Sequence, residues 1–213
     1  MKCDSEVARI IASLLLQSKA IKLNVETPFT WASGIKSPIY CDNRQTLSYP
    51  QVRRQIALQL SALVKRFFAD AQVIAGVATG AIAHGILVAE ELGLPFVYVR
   101  DAPKGHGLGN QIEGRIMPRE KTVVIEDLVS TGKSSIAAVK ALRETGFDVA
   151  GMLAIFSYGL PEADQTMAEN HCELVTLSNY QCLLETALQE QRISQQELEL
   201  LAKWREDPYA WGK

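Results

Sequence analysis

Val123-Val124-Ile125-Glu126-Asp127-Leu128-Val129-Ser130-Thr131-Gly132-Lys133-Ser134-Ser135 is the stretch on which the fold turns. An apolar strand, expected over Thr122 to Leu128, runs into two adjacent acids. A turn of small residues then opens a helix from Thr131 to Thr145, which Gly146 stops. Each half has a physical task. Backbone N–H groups at a helix N-terminus, with the helix dipole behind them, favour an anion. The hydroxyls of Ser130, Thr131 and Ser134 add donors, and Gly132 lets the backbone approach closely. Together these make a phosphate cradle. Glu126 and Asp127 would repel a phosphate, so they are expected to hold adjacent sugar hydroxyls, with or without a divalent cation. A nucleotide P-loop needs a glycine five positions before the Gly-Lys pair, and Asp127 stands there. A merely structural strand–turn–helix with a capping hydroxyl would leave two acids at the end of a buried strand, at a cost.

Outward from this stretch the chain alternates. Short apolar runs are expected as strands over Val73 to Ala78, Pro95 to Val99, Val149 to Phe156 and Glu173 to Leu177. Helices are expected over Ala81 to Leu92 and Pro161 to Asn170. Continuous apolar strands separated by helices indicate a parallel sheet covered on both faces. The fold class is therefore α/β, a central parallel sheet flanked by helices, whose ligands sit at the carboxyl ends of the strands. Before this core, a helix is expected over Asp4 to Ser18, with Val7, Ile10, Ile11, Leu14 and Leu15 at helical spacing. Residues 27–38 read as short strands and turns. A helix from Tyr49 follows, with Pro50 in its first turn and Val52, Ile56, Leu60, Leu63, Val64 and Phe67 inward. After the core, two helices are expected, Asn179 to Gln191 and Ser194 to Glu206. The chain thus divides into a hood of about residues 1–48, a core of about 49–178 and a helical appendage of about 179–213 within one domain.

Composition narrows the function classes. Apolar residues are 47% and charged residues 22% of 213, which excludes a disordered or collagen-like chain. A net charge of −2 argues against nucleic acid as a partner. The apolar run from Val7 to Leu16 is broken by Arg9 and Ser13 and is too short to span a bilayer. Cys3, Cys41, Cys172 and Cys182 form no CxxC pair, so free thiols of a reducing compartment are expected. The expectation is a soluble, cytoplasmic protein with no membrane partner.

The segment from Arg100 to Arg119 has no hydrophobic periodicity and holds Gly105, Gly107, Gly109 and Gly114. Loops this long inside a compact domain are usually lids. It carries Arg100, Lys104, His106 and Arg115. A cationic, glycine-hinged lid suits a diphosphate leaving group, because it can exclude water and neutralise charge as a bond breaks.

The Glu126-Asp127-x-x-Ser130-Thr131-Gly132-x-Ser134 pattern resembles the phosphoribosyl-diphosphate motif of the type I phosphoribosyltransferases. The Lys104-Gly105-His106-Gly107 lid and the stretch Phe29-Thr30-x-x-Ser33-Gly34-x-Lys36-Ser37-Pro38 resemble the orotate phosphoribosyltransferases of that family. The C-terminal Lys203-Trp204-Arg205 to Asp207-Pro208 segment is similar to one bacterial branch. The chain departs from the enteric and yeast pattern in having Ala32, Thr79-Gly80 and Asp101 where those proteins carry lysines.

The resemblance implies transfer of a phosphoribosyl group from 5-phosphoribosyl 1-diphosphate to orotate, in pyrimidine biosynthesis. It implies Lys104, His106 and Asp127 as catalytic residues. It places Arg100, Lys104, His106, Glu126, Asp127, Leu128, Val129, Ser130, Thr131, Gly132, Lys133 and Ser134 on the diphosphate substrate. Lys36 and Ser130 would contact orotate, and Thr79-Gly80 would face the diphosphate with backbone groups. Mg²⁺ is the implied cofactor, held mainly by substrate oxygens rather than by a protein cage. A homodimer is implied, with the lid reaching the partner's site and apolar surface near Trp31 and Tyr40 for pairing. Two other classes compete. A purine phosphoribosyltransferase would lack this hood and lid. A regulator that senses phosphoribosyl diphosphate and binds nucleic acid would need a basic surface or an added domain.

Overall fold

The structure, a computed structural model, describes residues 3–30, 34, 36–101, 111–116, 118–209 and 211. Ten strands and seven helices run in chain order among them. Helix α1 (Ser5–Gln17) leads to strands β1 (Ile21–Leu23), β2 (Phe29–Thr30), β3 (Lys36–Ser37) and β4 (Ile39–Cys41), then a 3-10 turn, Asn43–Ser48. Next come α2 (Pro50–Phe67), β5 (Val73–Val77), α3 (Ile82–Leu92), β6 (Phe96–Val99), β7 (Ile112–Glu113) and β8 (Lys121–Val129). The chain finishes with α4 (Lys133–Glu144), β9 (Asp148–Ser157), α5 (Pro161–Glu169), β10 (Leu174–Asn179), α6 (Tyr180–Gln189) and α7 (Gln195–Glu206).

Six strands form one sheet in the order β10-β9-β8-β5-β6-β7, parallel except for β7. All five residues of β5, at the centre, are buried, as the uninterrupted apolar run requires of a strand covered on both faces. Sheet order reverses direction at β5, with β6 on one side and β8 on the other. That switch point is where α/β sheets open a crevice at their carboxyl ends.

Helices cover both faces. Successive side chains of a strand point to opposite sides. On β8, Glu126 meets Ser135 of α4, while the next residue, Asp127, lies against Gly80 just before α3. Asp4 caps α1 by accepting from the N–H groups of Glu6 and Val7. The buried face of α1 is Ala8, Ile11, Ala12, Leu15 and Leu16, and Ile10 is exposed. This is rotated from the face expected, because the helix approaches its neighbours through two alanines that a count of large apolar residues passes over. On α2 the expected face is buried except Phe67, which is half-exposed, while Ala57 and Ser61 are buried.

Residues 27–38 hold the expected short strands: β2 and β3 pair antiparallel, Phe29 opposite Ser37. Strand β1 pairs with β4, Ile21 opposite Cys41, and closes the base of this hood. The C-terminal helices are built into the body rather than appended to it. Trp204 of α7 is fully buried, edge-on to Tyr158 and against Tyr180, and its indole N–H donates to the carbonyl of Lys36 at 3.2 Å. All four cysteines are free thiols.

Candidate active site

The carboxyl ends of β5 and β8 lie side by side, Gly76 opposite Ile125, and each feeds a loop. After β5 the chain turns through Thr79 and Gly80, and the Ala78–Thr79 peptide is cis. A Cβ on Gly80 would fall 2.2 Å from Oδ2 of Asp127. Only glycine lets the half-buried Asp127 carboxylate rest on that main chain.

The adjacent acid has different surroundings. Glu126 is 4% exposed and turned toward α4. One of its oxygens accepts from the Asp127 N–H at 2.9 Å and the other from the Ser135 hydroxyl at 2.9 Å. Burial, reinforced by the charge of Asp127 beside it, pushes the Glu126 carboxyl well above its ordinary range. Strand alternation separates neighbours, so Glu126 braces the loop while Asp127 faces the crevice. Ser135, outside the expected motif, is thereby part of the site's frame.

Strand β8 runs to Val129, so Leu128 and Val129 lie in the strand, not in the turn. The Val129 side chain is fully buried, and only its main chain can serve a ligand. Helix α4 begins at Lys133 rather than Thr131, which leaves Ser130 and Thr131 in the turn ahead of it. Gly132 occupies its N-cap in the left-handed region at φ +78°, which a side chain adopts only with strain. The first-turn N–H groups of α4 have no intrahelical acceptor and point out of its end. Lys133 and Ser134 are exposed there.

The hood joins the acid strand through groups that sequence reading missed. Asn43 donates from Nδ2 to the carbonyl of Asp127 at 2.5 Å. The Thr46 hydroxyl donates to the Asn43 carbonyl at 2.6 Å and lies 3.2 Å from Nε2 of His84, a fully buried residue of α3. A lone imidazole in the apolar run Ala81-Ile82-Ala83-His84-Gly85-Ile86-Leu87 was the available signal. The Lys36 ammonium donates to the Thr30 hydroxyl at 2.8 Å across the β2–β3 pair.

Part of the stretch expected as a lid, Ile112 and Glu113, is strand. Ile112 and Glu113 pair with Val99 and Tyr98 as an edge strand too brief to show alternation. The Arg100 N–H donates to the Gln111 carbonyl at 2.9 Å, and the Gln111 amide donates back to the Arg100 carbonyl at 2.8 Å. The Arg100 guanidinium stands 3.4 Å from Glu113. The chain therefore leaves and rejoins the sheet at one neck. Lys104 and His106 lie outside the described residues, as do Trp31 and Ala32.

A helix N-terminus with Gly132 as its cap, beside a half-buried acid at the switch point, is an arrangement suited to a phosphorylated sugar in an α/β protein. Comparisons with known proteins agree. Residues 48–179 match the phosphoribosyl transferase domain. The chain is 53% identical over 206 residues to the orotate phosphoribosyltransferase of Porphyromonas gingivalis, covering 97% of this chain and 98% of that one. It is 51% identical over 209 residues to the Enterococcus faecalis orotate phosphoribosyltransferase, covering 98% and 100%. The crystal structure of orotate phosphoribosyltransferase from Aeropyrum pernix superposes with a TM-score of 0.73 at 29% identity, over 84% of this chain and 98% of that one. The chain belongs to the phosphoribosyltransferase family and, within it, to the orotate phosphoribosyltransferases.

Among the described residues, no three His, Cys, Asp or Glu side chains gather as a metal cage, and no helix is long and apolar enough to cross a membrane. The half-buried Asp127 carboxylate is a hard oxygen donor of the kind that suits Mg²⁺, a cation that often takes most of its ligands from substrate and water.

Proposed function

We propose that this chain transfers the phosphoribosyl group of 5-phosphoribosyl 1-diphosphate to a ring nitrogen of orotate, giving orotidine 5′-monophosphate and diphosphate. It is a pentosyltransferase of pyrimidine biosynthesis. The observation that carries this reading is the Asp127–Gly80 contact at the switch point, one strand-end away from the Gly132-capped cradle.

The bond from C1 of the ribose to diphosphate oxygen breaks, and its electron pair leaves with diphosphate. The orotate nitrogen, having given up its proton, supplies the pair for the new bond to C1. Positive charge gathers at C1, so catalysis consists mainly of positioning and charge stabilisation. The turn and first helical residues, Ser130 to Ser134, hold the 5-phosphate through N–H and hydroxyl donors, with Lys133 adding charge. Asp127 accepts from the ribose hydroxyls and offsets charge at C1. Glu126 holds the Asp127 main chain in place. The main chain of Leu128 and Val129 sets the level of the sugar. Thr79 and Gly80 line the diphosphate side. Arg100 at the neck, with Lys104 and His106 from the lid, binds the diphosphate leaving group. Lys36 and Ser130 address orotate. Mg²⁺, held mainly by the substrate with Asp127 the residue to assist, would neutralise diphosphate charge. We further propose a cytoplasmic homodimer in which each lid serves the partner's site.

Loss of orotate absorbance, with phosphoribosyl diphosphate and Mg²⁺ present, tests this directly. The expected result is turnover that needs all components and falls about 10²–10³-fold in Lys104→Ala. Turnover with adenine, hypoxanthine or uracil but not orotate would overturn the acceptor. Full activity in Lys104→Ala would overturn the role given to the lid.

A further inference from the structure

The buried His84 has no part in the chemistry above, yet it sits behind Asp127. Its position raises a question of tautomer. The Thr46 hydroxyl has one proton, and the 2.6 Å contact to the Asn43 carbonyl uses it. The 3.2 Å contact between that hydroxyl and Nε2 of His84 therefore needs the ring to donate. A neutral ring with its proton on Nε2 leaves Nδ1 as a bare acceptor, and Nδ1 is indeed a buried atom without a partner among the described residues. Burial lowers the imidazole's proton affinity, with the Asp127 carboxylate and the Asn43 carbonyl opposing, so the ring stays neutral.

The donors now run in one direction: His84 to Thr46, Thr46 to the Asn43 carbonyl, and the Asn43 amide to the Asp127 carbonyl at 2.5 Å. Cys41 adds a weak contact from its thiol to Oδ1 of Asn43 at 3.4 Å, which leaves the Asn43 amide nitrogen pointed at β8. Three elements meet in this chain: α3, which follows the Thr79–Gly80 turn, the 3-10 turn of the hood, and the acid end of β8.

We propose that His84 is a positioning residue, which as its Nε2–H tautomer holds Thr46 and Asn43 so that the hood and Asp127 keep a fixed spacing. It touches no substrate. It sets the distance between the part of the site that takes the acceptor base and the part that takes the ribose. The inference rests on the proposed reaction for its kinetic readout but not for its structural one.

The structural test is ¹⁵N NMR of the imidazole in the intact protein without substrates. The expected spectrum has Nε2 protonated and Nδ1 bare near neutral pH, and a proton on Nδ1 instead would overturn the proposal. The kinetic test compares His84→Leu, Thr46→Val and the double variant, with His84→Gln retaining a donor at similar reach. Each single change should lower kcat/KM by about tenfold, the scale of one lost buried hydrogen bond. The double variant should be no worse than the worse single, because both cut the same chain. His84→Gln should recover most of the loss. Losses that add, or that track melting temperature across the series with no recovery in His84→Gln, would reduce His84 to packing. Absence of turnover in the wild type would refute the reaction while leaving the NMR result standing.

Discussion

A methyl group on Gly80 would collide with both Oδ2 and Cγ of Asp127, at 2.2 and 2.4 Å. The carboxylate must then rotate out of the crevice, while the Gly80 backbone itself is not in a glycine-only conformation. Gly80→Ala should therefore cut kcat/KM at least about tenfold with little change in melting temperature. Parallel kinetics and thermal melts check this, and wild-type kinetics would sink the placement of Asp127. Glu126 supplies a second prediction at this scale. Its carboxyl is raised well above the ordinary 4.5 by burial and by Asp127. A group raised on folding contributes stability that is fully present below its unfolded value and is lost as pH rises through the folded value. Wild-type stability should therefore fall across that window relative to Glu126→Gln, which has no such proton to lose. Denaturant titrations of both proteins from pH 4 upward, the pH at which the ordinary carboxyl begins to titrate, measure the difference. Parallel curves would mean that Glu126 is not raised.

At the scale of elements, α7 is the least expected contributor. It opens with a capping box in which Ser194 and Glu197 satisfy each other's backbone N–H groups, and it ends by placing Trp204 under the hood. Trp204→Phe keeps most of the ring but leaves the Lys36 carbonyl without its donor. A loss of about 1–3 kcal/mol is expected, read as a shift in urea midpoint. An unchanged midpoint would show that the indole contact is idle. The strands and helices of the core were legible because each is an uninterrupted apolar run or a clear helical face, closed by Gly146 or opened by Pro50 and Pro161. Strand β7 was not legible. Two residues give no period, and only the neighbouring edge of β6 makes Ile112 and Glu113 a strand. The rotated face of α1 escaped because Ala8 and Ala12 weigh little in a count of apolar residues, although they permit the closest packing.

For the whole molecule, motif reading placed Asp127 at a strand end and Gly132 at a helix start because those residues are nearly consecutive. It could not locate the chain from His84 through Thr46 and Asn43 to Asp127, which spans gaps of tens of residues that no local pattern encodes. Nor could it show that neighbours in sequence, Glu126 and Asp127, part company across the sheet. The proposed exchange of lids between partners gives a prediction at this scale. Lys104→Ala and Asp127→Asn proteins, each nearly inactive, should regain activity when mixed and allowed to exchange subunits. In a two-fold dimer, random exchange restores about a quarter of the sites. No recovery, with exchange verified by mass, would confine each lid to its own chain.

The bond from Trp204 to Lys36 spans 168 positions, and α1 near the start packs against β10 and α6 near the end. A ribosome makes the start first. Helix α1 therefore lacks its β10 and α6 partners, and the Lys36 carbonyl its indole donor, until those later elements have been made. The docking of α1 and the closure of the hood base onto Trp204 are late events for a nascent chain. A stop codon just before Trp204 would thus leave every residue of the Glu126 to Ser134 motif in the chain and strip the hood of the indole that holds it at Lys36.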